Sequence, residues 1–169
     1  MKRKQISEII STSDLNKILS YNPKTGKFKH KVSTTRRKAG DEAGFNNNGY
    51  LRIRINKEVV AAHRLAWFIV HNDDPLELID HINGIKTDNR IENLRLATYS
   101  QNSMNSKVNS LNTSGIKGVM WSERKKRWLA LGKINGKKIQ IGSFSNINDA
   151  ANAYRQFAEK NHGEFYRNK

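Results

Sequence analysis

Cysteine is absent from all 169 residues, which excludes disulfide staples and any thiolate-ligated zinc site. Apolar residues are scarce as well. Only 36% of the chain is hydrophobic, so small units with modest cores fit better than one large core. No apolar run is long enough to span a membrane, and Met1-Lys2-Arg3-Lys4-Gln5 lacks the apolar stretch of a signal peptide. These absences point to a soluble cytosolic protein. Acidic residues are few, 15 against 31 Lys and Arg, giving a formal charge of +16.

The distribution of that charge is informative. Residues 1–58 carry 14 basic and 5 acidic side chains, residues 59–106 carry 4 and 6, and residues 107–169 carry 13 and 4. Two basic arms flank a slightly acidic centre. Basic arms suit a polyphosphate backbone, while an acidic centre suits a metal ion held beside it. Charge alone would equally suit structured RNA.

The centre contains Asp80-His81-Ile82-Asn83-Gly84, then Asn93 twelve residues after the histidine, then Asn102 nine further on. Hydrolysing a phosphodiester requires an oxygen ligand for a divalent ion, a base that activates water and a group that orients the base. His81, just before a tight turn, is the candidate base. Asp80 is the candidate metal-binding carboxylate. Asn93 is placed to accept a hydrogen bond from the other ring nitrogen, and Asn102 to offer a carbonyl oxygen to the ion. A hard oxygen donor set with few protein groups suits Mg2+, or Mn2+. Taken singly, each residue also has an ordinary structural reading as a core histidine, a turn or a cap.

Local patterns supply an outline. Ser13 reads as the cap of a short helix carrying Leu15, Ile18 and Leu19. Tyr21 to Gly26 reads as a turn, Lys27 to Val32 as a strand, and Gly40 to Gly49 as irregular chain. Tyr50 to Ile55 alternates with period two, which puts Arg52 and Arg54 on one face of a strand, and Asn56-Lys57 turns it into Glu58 to Ala62. His63 to Val70 reads as a helix with Leu65, Ala66, Ile69 and Val70 inward, ended by Asp73-Asp74-Pro75. Asn83-Gly84 is a strong hairpin signal, and Thr98 with Gln101 forms a capping-box pattern. Beyond a polar linker at 108–114, three strands (118–121, 127–135 and 137–144) turn at Glu123–Lys126 and Asn135-Gly136. A helix capped by Ser145 follows, with Ala150, Ala153, Tyr154, Phe157 and Ala158 on one face.

Four blocks carry a resemblance: Val60 to Trp67, Ile79 to Gly84, Asp88 to Arg95, and Ala97 to Asn102. In this order and spacing, over roughly residues 48–106, the chain resembles the HNH endonucleases of phage and mobile introns, which are ββα-metal nucleases. The resemblance implies that His81 is the general base, Asp80 the metal-binding carboxylate and Asn93 the residue that orients the base. Asn102 stands where many members have a histidine, as in the homing branch. His63 matches a recurrent histidine that contacts the scissile phosphate or supports the site.

The last 55 or so residues resemble the plant ethylene-response-factor (APETALA-two-type) DNA-binding domain. The matching blocks are Gly115 to Val119, Arg127-Trp128, Gly142 to Phe144, Ala150 to Tyr154 and His162-Gly163. That resemblance implies a three-stranded sheet laid in the major groove. Alternation turns Val119, Trp121, Trp128, Ala130, Ile139 and Ile141 toward the helix. It turns Met120, Arg124, Leu129, Leu131, Lys133, Lys138 and Gln140 outward.

The expectation is therefore an α+β protein. A basic region at 1–48 precedes an HNH core at 49–107, and a linker at 108–114 leads to a sheet-plus-helix DNA-binding domain at 115–169. The DNA-binding residues are Arg52, Arg54, Arg124, Lys133, Lys138 and Gln140. The partner is double-stranded DNA, with no membrane involvement and a monomer as a plausible state. The compartment is the cytoplasm, that of a bacterial host if the chain is phage-encoded. The alternative is a DNA-binding regulator with an inactive nuclease fold.

Overall fold

A computed structural model describes residues 4–109, 111–134 and 136–167. Helices and antiparallel strands are mixed, compatible with an α+β class. The chain divides into two compact units on either side of the Ala97–Thr98 bond.

In the first unit, α1 (Thr12–Ile18) is capped by Ser11, whose hydroxyl accepts from the Asp14 amide. Ser13, expected as the cap, already lies inside the helix. Strands β1 (Leu19–Asn22) and β2 (Lys27–His30) form a hairpin with Tyr21 opposite Phe28. A three-stranded sheet follows, in the order β3 (Phe45–Asn47), β4 (Tyr50–Ile55), β5 (Glu58–Ala61). The Gly/Asn-rich stretch expected to be irregular thus contains β3. Pairing with β4 supplies the ladder that its own composition does not favour. Asn56 and Lys57 both adopt positive φ, as a two-residue turn between twisted strands requires.

Helix α2 (Ala62–His71) buries Leu65, Ala66 and Phe68, but also His63 and Arg64. Val70, expected inside, is exposed. The helix ends on Asn72 in the left-handed conformation, one residue before the expected stop at Asp73. Asp74 instead reaches across to the start of the chain, accepting from the amides of Ile6 at 2.6 Å and Ser7 at 3.0 Å. Strands β6 (Leu78–His81) and β7 (Leu94–Ala97) pair antiparallel and complete the unit. One apolar core joins Ile6, Leu15, Leu19 and Phe28 to Ile53, Ile55, Leu65 and Leu94. The N-terminal residues therefore share a core with the central motif.

In the second unit, α3 (Tyr99–Asn105) starts in the capping box that Thr98 and Gln101 announce. Strands β8 (Val119–Ser122), β9 (Arg127–Ile134) and β10 (Lys137–Phe144) form an antiparallel sheet with β9 in the middle. The turn position Asn135 lies outside the described residues. Helix α4 (Ile147–His162) is capped by Asn146 rather than Ser145. Ala150, Tyr154 and Ala158 pack on Val119 and Ala130. Gly132 is a close-approach glycine, because a Cβ there would fall 2.3 Å from the Phe157 ring. An irregularity between Gln140 and Gly142 sets Gly142 opposite Ala130, leaving Ile141 as the extra residue on its strand. Lys117 ties α3 to this unit by donating to the carbonyls of Met104 and Ser106, and burial lowers its ammonium pKa to about 8. Among the described residues, no helix is long and apolar enough to cross a membrane.

Candidate active site

The β6–β7 pair brings the central residues together. Asp80 stands opposite Arg95, and His81 opposite Leu94. The chain does not close there as a two-residue hairpin. Asn83-Gly84 makes a tight turn, with the Gly84 amide donating to the His81 carbonyl at 2.7 Å, and residues 82–93 then form a loop. The cause is Asn93, buried in the one-turn 3-10 segment Ile91–Asn93. Its Oδ1 accepts from the Asn83 amide at 2.9 Å, and its Nδ2 donates to Asn83 Oδ1 at 3.1 Å and to the Asp88 carbonyl at 2.8 Å. This one amide clamps both sides of the loop. The Asn93 amide atoms are thus engaged with the loop on both sides.

The imidazole is engaged by Asn89, whose Oδ1 lies 3.2 Å from His81 Nε2. Asn89 is only 1% exposed, and its Nδ2 donates to the Thr87 carbonyl at 3.2 Å. With Nδ2 turned to that carbonyl, Oδ1 faces the ring. Nε2 is then the protonated nitrogen and Nδ1 carries the lone pair. Burial holds the His81 pKa below the ordinary histidine value, against the opposing pull of Asn89, Asp80 and Asp88. The imidazole is therefore neutral at physiological pH.

His63 lies beside it, edge-on to His81 with ring centroids 5.1 Å apart. Tyr50 packs against both rings, and the Lys86 ammonium sits 4.6 Å from the centre of the Tyr50 ring. Asp80 is buried, and its Oδ2 accepts from Arg95 Nε at 3.0 Å and Nη2 at 2.9 Å. Asn102 is exposed on α3, in the second unit. Arg52 and Arg54 share one face of β4, with Ile53 and Ile55 buried on the other. Arg124, Lys133, Lys138 and Gln140 are exposed in the sheet module, with Lys125 Nζ donating to Gln140 Oε1 at 3.1 Å. The residues that sequence reasoning missed are Asn89, Arg95, Tyr50 and Lys86. A signal existed for Arg95, which faces Asp80 once the two strands are placed in register.

Asp88 anchors the far side of the loop. The Arg90 guanidinium, with the Asn83 amide, holds its carboxyl down at about 2. A carboxyl depressed in the folded state stabilises the protein above its unfolded pKa near 4. That contribution is lost as pH falls from about 4 to about 2, and amounts to about 2 kcal/mol. Asp88→Asn should therefore lower the urea midpoint at pH 7, with the difference from the native protein vanishing near pH 2. An equal difference at both pH values would contradict this.

Comparison with known proteins places this arrangement. An HNH endonuclease family profile matches residues 60–104, from β5 to α3. Protein 3.8 of Escherichia phage T7 is 38% identical over 89 residues, covering 53% of this chain and 73% of the phage protein. The chain belongs to the HNH endonuclease family. Two uncharacterized HNH endonucleases of Acanthamoeba polyphaga mimivirus are also similar. One is 34% identical over 115 residues, 63% of this chain, and the other 33% identical over 105 residues, 61% of this chain. The alignments cover only 26% and 54% of those two proteins' own lengths. No solved structure matches the chain.

HNH nucleases generally use a divalent metal ion and would act on DNA. The donor chemistry here fits such an ion. Among the described residues, no three His, Asp or Glu side chains cluster into a ready-made cage. One buried carboxylate beside a neutral imidazole instead suits a hard cation that keeps most of its waters and takes phosphate oxygens from substrate.

Proposed function

We propose that this chain is a DNA endonuclease that hydrolyses phosphodiester bonds with one divalent ion and His81 as general base. The second unit targets it to DNA. The observation that carries this reading is the buried His81 imidazole, held through Nε2 on the buried Asn89 and next in sequence to the buried Asp80 carboxylate. In this reading the core is of the ββα-metal kind, with a nuclease module over 49–107 and a DNA-binding module over 115–169.

Asp80 and Asn102 would hold the ion, which supplies charge neutralisation at the scissile phosphate when bound. His81 Nδ1 takes the proton of the attacking water as its oxygen bonds to phosphorus and a bridging oxygen departs. Asn89 Oδ1 steadies the imidazolium that forms, as a hydrogen-bonded acceptor does in other base-orienting pairs. Asn93 fixes the loop on which Asn83 and Asp88 sit. His63 holds the His81 ring edge-on, and Lys86, over the Tyr50 ring that packs on both histidines, is the cation assigned to a phosphate. Arg52 and Arg54 on β4 contact the backbone of the same duplex.

In the second unit, Arg124, Lys133, Lys138 and Gln140 face double-stranded DNA, as in the ethylene-response-factor type of sheet. Leu129 and Leu131 offer apolar contact to thymine methyls. Lys138→Ala should weaken duplex binding about equally across sequences and reduce the slope of log K against log salt by about one. Filter binding at several salt concentrations checks this, and an unchanged slope would remove Lys138 from the interface.

One observation favours a second reading, a DNA-binding regulator that does not cut: Arg95 already engages Asp80 Oδ2. Cleavage of end-labelled duplex in the presence of unlabelled competitors separates the readings and tests the substrate. The nuclease reading expects strand breaks that are suppressed by cold duplex DNA and not by structured RNA. Stable complexes without breaks in either Mg2+ or Mn2+ would favour the regulator.

A further inference from the structure

The N-terminal hairpin lies outside the stretch matched by the family profile, yet it touches the chain segment that holds the His81 ring. Asn89 is fixed on its main-chain side by residues more than sixty positions earlier. Tyr21 Oη donates to the Asn89 carbonyl at 2.8 Å. The Ile91 amide donates to the Pro23 carbonyl at 3.1 Å. Between these two bonds, Gly26 rests directly on the peptide that joins Asn89 to Arg90. A Cβ at Gly26 would fall 2.5 Å from the Arg90 nitrogen and 2.6 Å from the Asn89 carbonyl carbon. Its φ of +71° also favours glycine at this turn.

The donor is well held. The Tyr21 ring packs on Phe28 with centroids 4.7 Å apart, and Phe28 is almost fully buried in the core. Burial raises the Tyr21 phenol to about 12, so it remains a hydrogen-bond donor throughout the working pH range. From the other side, Asp88 braces the same segment through Arg90 and Asn83. Asn89 directs its Oδ1 at His81, and its backbone is gripped by the hairpin.

We infer that the Tyr21–Gly26 turn is a positioning device for the general base. It sets Asn89 against His81 Nε2 and so fixes the tautomer that leaves Nδ1 to accept the proton. Tyr21 and Asn89 are positioning residues in this scheme and touch no substrate. The N-terminal region is then part of the hydrolytic machinery in addition to its basic charge. This inference rests on the assignment of His81 as the base.

Tyr21→Phe removes one hydroxyl and keeps the ring on Phe28. It should lower kcat about tenfold while leaving KM, duplex affinity and the melting temperature near the native values. Asn89→Ala should lower kcat further, and Asn89→Asp, which keeps an acceptor oxygen, should recover part of the loss. Long-range 15N–1H NMR of His81 at pH 8 provides a readout that does not depend on cleavage. The native protein should show the Nε2–H tautomer, and Asn89→Ala a mixture. Native kcat in both Tyr21→Phe and Asn89→Ala, or an unchanged tautomer in Asn89→Ala, would overturn the inference. A His81→Ala variant run alongside separates the two failures. If His81→Ala still cuts, the assignment of the base is wrong. If it does not cut while Asn89→Ala cuts normally, only the positioning role is wrong.

Discussion

His81→Ala should reduce DNA cleavage by about a hundredfold to ten-thousandfold, the range expected for loss of a general base, while duplex affinity stays close to native. The argument is geometric before it is electrostatic. The ring sits at the end of β6, its carbonyl is tied into the Gly84 turn, and its Nε2 is bonded to Asn89. A pre-set ring of this kind loses little orientational freedom when substrate arrives. Truncation leaves the loop clamp of Asn93, Asn83 and Asp88 in place, because none of those bonds runs through the imidazole. Binding should therefore survive, since the basic residues assigned to the duplex are elsewhere. A gel shift and a cleavage time course on the same preparation check both halves. Parallel loss of binding and cleavage would mean that His81 is structural.

Arg95→Ala should destabilise the protein by about 3 kcal/mol, near the lower end of the range for breaking a buried ion pair. The side chains of Arg95 and Asp80 are only 12% and 6% exposed, and the two residues face each other directly across β6 and β7. Removing the guanidinium leaves a buried carboxylate without its cross-strand cation, next to the candidate base. Asp80→Asn at the other end of the pair should cost less stability, because it buries no uncompensated anion. It should nevertheless abolish metal-dependent cleavage if Asp80 holds the ion. Urea midpoints and cleavage rates of the two variants give this crossed pattern. A stability loss below about 0.5 kcal/mol for Arg95→Ala would show that the pair is solvent-screened rather than buried.

Much of the fold was legible where local rules act alone. The alternation of Tyr50 to Ile55 predicts β4 with Ile53 and Ile55 inward and Arg52 and Arg54 on the opposite face, as observed. Thr98 and Gln101 announce the start of α3, and the Ala150–Ala158 spacing announces the buried stripe of α4. Local rules fail where distant chain intervenes. Asn83-Gly84 is a strong hairpin signal and turns tightly, yet β6 finds its partner β7 only after a further loop, which the Asn93 side chain closes on the Asn83 amide. β3 forms from a Gly/Asn-rich stretch because β4 supplies its partners.

The site was legible in part for the same reason. The Asp80-His81 dipeptide and Asn93 stand out by type and spacing. Asn89 does not, since it sits in a polar run that reads as solvated loop. Its burial is created by Tyr21, Pro23 and Gly26, and no window around residue 89 contains them. Asn89 engages His81 Nε2, while Asn93 braces the loop that carries it. Val70, expected inward on α2, is exposed, while His63 on the same helix is buried edge-on to His81.

The most direct test of the central claim is conversion of supercoiled plasmid to nicked or linear forms by the native protein in Mg2+, in Mn2+ and in EDTA, with a plasmid carrying DNA from the protein's own source. The account predicts strand breaks with a divalent ion and none in EDTA. Tight binding of the plasmid with no breaks in any metal would contradict it and leave a DNA-binding protein on an HNH scaffold.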